Sequence, residues 1–287
     1  MPSNSIARLL KDSSLRLQAI SDSPVLDSEV LLLDALEKFP HGKSFNRAFF
    51  RTWPEYQLKA DQLQLFQSNL EQHCNGKPIA YITGSKEFWS LELQVNEATL
   101  IPRPDTETLV ESALAHIPKQ ANWNILDLGT GSGAIALAIA SERKNCQIIA
   151  MDYSFSALLT ARNNAHRLKI NNVQFYCGSW LSAMPQQYFN LIVSNPPYIK
   201  ASDPHLKQGD LPYEPLSALA SGEDGLDDIR IILQTAREHL LADARIFIEH
   251  GYDQAEAMQD LYSKYEYKDC QQDCDLAGII RVTSGKL

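Results

Sequence analysis

The sequence predicts an α/β protein in which a mainly parallel sheet carries helices on both faces. A small helical domain and a β-hairpin linker precede that sheet. Three observations carry this reading. From residue 124 onward, short apolar runs alternate with stretches of helical apolar spacing, as an open α/β sheet requires. Before residue 76 the apolar spacing is helical throughout. Between the two, "SLELQV" alternates apolar with polar residues, and Pro102 and Pro104 then fix an extended connection. The domains expected are residues 1–76 (helical), 77–105 (linker with hairpin) and 106–287 (the α/β domain).

In the helical domain, Ser23-Pro24 opens a helix whose apolar positions include Leu26, Val30, Leu33 and Leu36. Leu63, Phe66 and Leu70 mark another, which Asn75-Gly76 stops. His41 and His73 stand alone and read as solvated surface residues. A helical appendage of this kind is expected to dock a partner rather than to catalyse. In the linker, Asp105 and Thr106 stand where they can cap the next helix, with Glu107 in its first turn. Arg103 reads equally well as a cofactor contact or as the partner of an acid.

The α/β domain follows in order. "NILDLG" (124–129) is a buried strand ending in glycine, and Ala134 to Glu142 is a helix. "CQIIAMD" (146–152) is the second strand, followed by a helix from Ser154 to about Leu168. "VQFYCG" and "FNLIVSN" are further strands, and "RIFIEHG" (245–251) lies beyond a helix at about 226–241. Glu249-His250 reads as a satisfied pair at a strand end, His205 as solvated, and the acidic run 222–228 as a loop and helix start.

The whole chain sets bounds on function. Its 287 residues fit two domains, or one large domain with an appendage. With 44% hydrophobic and 21% charged residues, the composition is ordinary for a globular protein. No apolar run approaches the roughly 18 residues a membrane span needs, and no secretory or transit pattern opens the chain. A cytoplasmic protein without a membrane partner is expected. Five scattered cysteines, with no histidine at zinc-site spacing, point to free thiols and to neither disulfide nor metal. The net charge of −9 gathers in residues 106–287, where 15 basic side chains face 22 acidic ones. That is a poor surface for a phosphate backbone, so no nucleic-acid partner is expected.

Two motifs carry chemistry. "DLGTGSGAIALA" (127–138) joins the first strand to a helix, where open sheets bind nucleotide-like ligands. Gly129, Gly131 and Gly133 permit a sharp turn and close approach of a ligand. The helix beginning near Ala134 would aim free N–H groups and its positive dipole end at that ligand. Asp152, ending the second strand, is placed to accept the hydroxyls of a ribose. On these residues alone NAD and S-adenosylmethionine fit equally well, and a purely structural glycine turn remains open.

The second motif is "NPPY", Asn195 to Tyr198, at the end of the fourth strand of the sheet. Neither proline can donate to a ladder, so the strand stops and a rigid extended segment begins. The Asn195 side-chain oxygen and the Pro196 carbonyl can act together as acceptors, and Tyr198 offers a flat face for stacking. That pair suits a planar amide or aryl amine, whose nitrogen is a poor nucleophile. Gripping its NH2 hydrogens orients the nitrogen and favours its pyramidal, nucleophilic form. Alone, Asn-Pro-Pro is as easily a stiff loop; after a glycine-loop strand it favours methyl transfer over hydride transfer.

Together, Asp127 to Gly133 and Asn195 to Tyr198 resemble the class I S-adenosylmethionine-dependent methyltransferases that modify amide or exocyclic amino nitrogens. "GKPIAYITGSKEFWSLELQV", "LIPRPDTETLV", "EPLSAL" (214–219) and "DLAGIIRV" (275–282) are similar to the protein-(glutamine-N5) methyltransferases of class 1 peptide chain release factors. This resemblance implies a Rossmann-like sheet of seven strands, the last antiparallel and supplied by "GIIRVTSGK". It implies S-adenosylmethionine as cofactor and a release-factor glutamine, in a Gly-Gly-Gln loop, as substrate. By matching positions, Gly129, Thr130, Gly131, Ser132 and Gly133 hold the methionine part and Asp152 the ribose. Trp180 falls near the adenine, although a packing role is as open on the residues alone. Asn195, Pro196, Pro197 and Tyr198 bind the glutamine, Asn195 and Pro196 are catalytic, and Asn195 also borders the cofactor. A monomer is expected. The alternative is a nucleic-acid amino-group methyltransferase (adenine N6 or guanine N2), which shares this chemistry but wants a basic surface.

Overall fold

The computed structural model describes residues 2–182 and 184–287, and the chain divides into two compact units, Met1–Gly84 and Ser85–Leu287. In the first, five helices run α1 (Ile6–Leu17), α2 (Pro24–Lys38), α3 (Arg47–Thr52), α4 (Ala60–Cys74) and α5 (Ile79–Thr83). Pro24 opens α2 at a position where its missing N–H costs nothing. The buried stripe of α2 is Ser28, Leu31, Leu32, Ala35 and Leu36, while Leu26 is exposed. The face is therefore rotated from the one that Leu26, Val30 and Leu33 suggest. Ser28 disguises it: a serine can be buried there because its hydroxyl donates to the Pro24 carbonyl at 2.8 Å. Phe66 and Leu70 of α4 join this core. His73 is not solvated: its ring is largely buried, with Nδ1 2.9 Å from the Lys77 carbonyl and Nε2 3.5 Å from the Asp27 carboxylate.

The second unit opens with an antiparallel hairpin, β1 (Ser85–Phe88) and β2 (Leu91–Gln94). Its two-residue turn, Trp89-Ser90, has positive φ at both positions (53° and 58°) without a glycine. The Trp89 N–H donates to the Glu107 carboxylate at 2.9 Å, which fastens that turn to the following helix. The remaining elements are α6 (Glu107–His116), β3 (Asn124–Leu128), α7 (Ala134–Glu142), β4 (Gln147–Asp152), α8 (Phe155–Leu168), β5 (Val173–Cys177), β6 (Phe189–Ser194), α9 (Asp227–His239), β7 (Leu240–Glu249), α10 (Ala255–Lys264), β8 (Lys268–Cys274) and β9 (Ile280–Lys286).

The seven strands β3–β9 form one sheet in the order β5-β4-β3-β6-β7-β9-β8, with β9 antiparallel to both neighbours. Alternate residues of each strand face opposite sides. Ile125, Ile148, Leu191 and Val193 share one core with α6 and α7. Leu126, Leu128, Ile192 and Ile246 share the other with α9 and α10. Helix α7 is apolar all round, and Ala134 to Ala140 are all buried, because it lies between the sheet and further structure.

The chain order reverses between β3 and β6, which are hydrogen-bonded neighbours. This is the switch point at which loops leave an open sheet in opposite directions and leave a crevice. Leu128 pairs with Ser194, so Gly129 and Asn195 leave the sheet side by side. The Ser194 hydroxyl donates to the Leu128 carbonyl at 2.9 Å and pins that register. Among the described residues, no helix is long and apolar enough to cross a membrane.

Candidate active site

A cavity of about 460 Å³ opens at this switch point. Its wall includes Gly129 and Gly131 of the glycine loop, Asn195, Pro196 and Pro197 of the second motif, and Asp152 and Trp180. Glu97–Leu100 and, from a second stretch, Pro215, Ser217, Ala218 and Ala220 also line it. No lysine or arginine lines it, whereas Glu97, Asp152 and Asp228 do.

The glycine loop is shaped from behind. Asp127, fully buried in β3, accepts the Thr130 hydroxyl at 2.6 Å and the Ala136 N–H at 3.2 Å. Burial, partly opposed by those bonds, pushes its carboxyl up to about 7. Thr130 thereby braces the loop from behind, and Thr130, Ser132 and Gly133 are not on the cavity wall. Ala134 is not on the cavity wall, and Asp127 takes the N–H of Ala136.

Asp152 does reach the cavity. Its two oxygens accept the N–H groups of Gly131 at 2.9 Å and Ser154 at 2.8 Å, so each keeps acceptor capacity. Burial raises its pKa despite these bonds, which leaves it short of donors. Vicinal hydroxyls would supply them. Trp180 sits across the loop at φ 45°, its indole N–H donating to Asp228 at 3.1 Å. Gly129 passes the indole ring at φ +73°, a left-handed backbone conformation that favours glycine; an added Cβ would meet the ring only at ordinary contact distance, 3.7 Å. The contacts of a nucleoside pocket are thus present: a flat ring, a carboxylate and bare backbone.

Asn195 sits beside them. It lines the cavity, and its Nδ2 donates to the Thr106 hydroxyl at 3.1 Å, so that its Oδ1 is available as an acceptor. Thr106 was a candidate helix cap, but it makes no cap hydrogen bond and serves Asn195 instead. Tyr198 is turned off the cavity wall, its phenol donating to Glu249 at 3.4 Å. Burial, with the nearby Glu249 charge, pushes that phenol well above its usual range, so it stays a donor.

The backbone after Tyr198 is held on both sides. Ile199 exchanges hydrogen bonds with Leu219 and Ser221, and Gln254 donates to the Tyr198 carbonyl at 3.0 Å. Gly225 (φ +81°) passes so close that an added Cβ would lie 2.2 Å from that carbonyl. Gly225→Ala should lower stability by about 3 kcal/mol, read from denaturant unfolding. An unchanged midpoint would show that the loop yields freely.

Further acidic and basic residues lie beyond the motifs. Arg103 pairs with Glu214 at 2.6 Å, which settles its two readings in favour of an acid partner. Glu214 also accepts the Ile101 N–H at 3.0 Å. Arg281 bridges Asp105 at 3.1 Å and Asp275 at 2.9 Å. His250 is the satisfied residue expected, bonded to Gly251 and Thr283. Glu249 is not: its Oε2 is buried without a partner. His205 pairs with Asp203 on the surface.

Burial pushes Glu249 up to about 7 against the pull of Thr106, Arg281 and Tyr198, with Asp105 adding to the rise. Between about pH 4.5 and 7 the unfolded chain gives up a proton that the folded chain keeps, so stability falls as pH rises through that window. Glu249→Gln should remove about 2–3 kcal/mol of that fall. Thermal unfolding at pH 5 and pH 8 measures it; an unchanged difference between the two pH values would contradict the assignment.

Comparison with known proteins follows the same division. Residues 8–84 match the PrmC N-terminal domain and residues 106–209 the Methyltransferase small domain. The release factor glutamine methyltransferase of Aliivibrio fischeri is 46% identical, over 98% of this chain and 97% of its own. That of Escherichia coli is 45% identical, over 96% and 97%. This chain belongs to the release factor glutamine methyltransferases.

A methyltransferase from Pyrococcus furiosus shares the fold at 18% identity, with a TM-score of 0.52 over 77% of this chain and 96% of its own. The fold class, the enzyme class and S-adenosylmethionine as methyl donor agree with the sequence reading. The acids missed by that reading, Asp127 and Glu249, had one signal: each interrupts or ends an apolar strand.

Proposed function

We propose that this methyltransferase moves the methyl group of S-adenosylmethionine to the side-chain amide nitrogen (N5) of the glutamine in the Gly-Gly-Gln loop of class 1 release factors. One observation carries the reading. Asn195 lines the cavity together with Asp152 and the glycine loop, and with its Nδ2 donating to Thr106 its Oδ1 is the group it can offer as an acceptor. An acceptor there can hold only a donor, as an amide NH2 is.

Gly129 and Gly131 lie against the methionine part of the cofactor, Asp152 takes the ribose hydroxyls, and Trp180 borders the adenine. Thr130, Ser132 and Gly133 act by shaping the loop. Bound S-adenosylmethionine supplies a methyl group made electrophilic by its sulfonium sulfur. The Asn195 oxygen and the Pro196 carbonyl grip the two amide hydrogens, align the nitrogen and favour its pyramidal form. Pro197 fixes the segment, and Tyr198 braces it against Glu249. The amide nitrogen so held would take the methyl group as the carbon–sulfur bond breaks, and would then shed a proton to water. No base of tuned pKa is required.

The chain acts in the cytoplasm as a monomer. Residues 1–76 dock the release factor, with exposed Leu15, Val25 and Trp53 as apolar contacts. Residues 77–105 link them to the catalytic domain at 106–287. An acidic cavity wall disfavours a nucleic-acid acceptor. The test is transfer of labelled methyl in parallel reactions with an unmethylated release factor, duplex DNA and ribosomal RNA. Label on the factor alone is expected; label on nucleic acid alone would overturn the substrate assignment.

A further inference from the structure

We infer that Asp228 is a positioning residue for the cofactor: it holds the Trp180 ring at the cavity and ties that ring to the segment that follows Asn-Pro-Pro-Tyr. The inference rests on the reading above that Trp180 borders the adenine. Asp228 ends the acidic run 222–228 and stands in the first turn of α9. Its neighbours Asp224 and Asp227 pair with Arg230, whereas Asp228 is on the cavity wall with Trp180.

A flat side chain can stack on a planar ligand only while its plane is fixed, and a tryptophan has two side-chain torsions to fix. The local backbone gives no help. Trp180 stands at φ 45°, a region that bulky residues enter only where the surroundings hold them. The six-membered ring lies along Gly129 of the glycine loop. At the other end the indole N–H donates to Asp228 Oδ1 at 3.1 Å. That nitrogen can only donate, so an acceptor at this place sets where the ring points.

Asp228 is in turn held by a reciprocal pair of bonds. Its Oδ2 accepts the Ser221 hydroxyl at 2.6 Å, and Ser221 Oγ accepts the Asp228 N–H at 2.9 Å. Ser221 is 2% exposed, so water does not compete for either bond. Its own N–H donates to the carbonyl of Ile199, the residue after Tyr198, at 2.9 Å. Trp180, Asp228, Ser221 and Ile199 thus form one chain of hydrogen bonds from the aromatic wall to the end of the second motif.

The experiment titrates the full-length protein with S-adenosylmethionine by calorimetry. Asp228→Ala is expected to raise the Kd about 10-fold, the low end for losing a hydrogen bond to a charged group. Asp228→Asn still offers the indole an acceptor and should recover most of that loss. Trp180→Phe keeps a flat ring with no N–H to hold, so in that background Asp228→Ala should raise the Kd by no more than about twofold further. Ser221→Ala changes no residue of the cavity wall and should still raise the Kd about threefold. Wild-type affinity in Asp228→Ala, or the full loss persisting in the Trp180→Phe background, would overturn the inference. So would wild-type affinity in Ser221→Ala, which decides the matter even if the Asp228→Ala chain does not fold. Wild-type affinity in Trp180→Ala would instead overturn the placing of adenine beside Trp180, and this inference with it.

Discussion

Asn195→Ala is expected to lower kcat by about 1,000-fold, the upper range for removing one preorganised hydrogen-bonding group from a reacting centre. The Kd for S-adenosylmethionine should change by no more than a few-fold. The reason is geometric. In the proposed reading Asn195 is the side chain that offers an acceptor to the substrate amide, and its bond to Thr106 holds it in place. Alanine removes the acceptor without altering the Leu128–Ser194 register that positions both loops. Single-turnover methyl transfer and cofactor titration read the two quantities separately. Retained kcat would show that the Pro196 carbonyl alone orients the amide.

Asp152→Ala should act on the other reactant. It is expected to weaken S-adenosylmethionine binding by roughly 10- to 100-fold, the range for losing hydrogen bonds to a charged group. Part of that loss is direct, through the ribose hydroxyls. Part is indirect, because Asp152 accepts the Gly131 N–H and so holds the glycine loop against β4. At saturating cofactor, kcat should recover to within a few-fold. Titration of the variant with S-adenosylmethionine checks this; unchanged affinity would move the ribose elsewhere on the wall.

The positions of these two residues were legible in the sequence because each ends a strongly apolar strand. A six-residue strand with three to five buried residues leaves few registers open, so Asp152 and Asn195 emerge at the same sheet edge. The helix over Ala134–Glu142 was legible for a similar reason, bounded by glycine at one end and a charged residue at the other. Strand β8, "KDCQQDC", was not. It lies at the edge of the sheet, paired on one side by β9, and buries too little apolar surface to leave a period-two pattern.

The supporting shell of the site was the least legible part. Thr106 reads as a helix cap because the residue type and its place before α6 satisfy every local criterion for one. What redirects it is Asn195, 89 residues away, and no local pattern records such a contact. Glu249 reads as bland for the same reason. Its environment is assembled from Thr106, Tyr198, Asp105 and Arg281, which the topology alone brings together. In α2 the local pattern misled outright, because a buried serine broke the apolar stripe.

The most direct test of the central claim is to locate the transferred methyl. An unmethylated release factor would be incubated with this protein and S-adenosylmethionine, digested and sequenced by tandem mass spectrometry. The account predicts one added methyl on the glutamine side chain of the Gly-Gly-Gln loop, absent with Asn195→Ala. A methyl on any other residue, or the same product from the Asn195 variant, would contradict it.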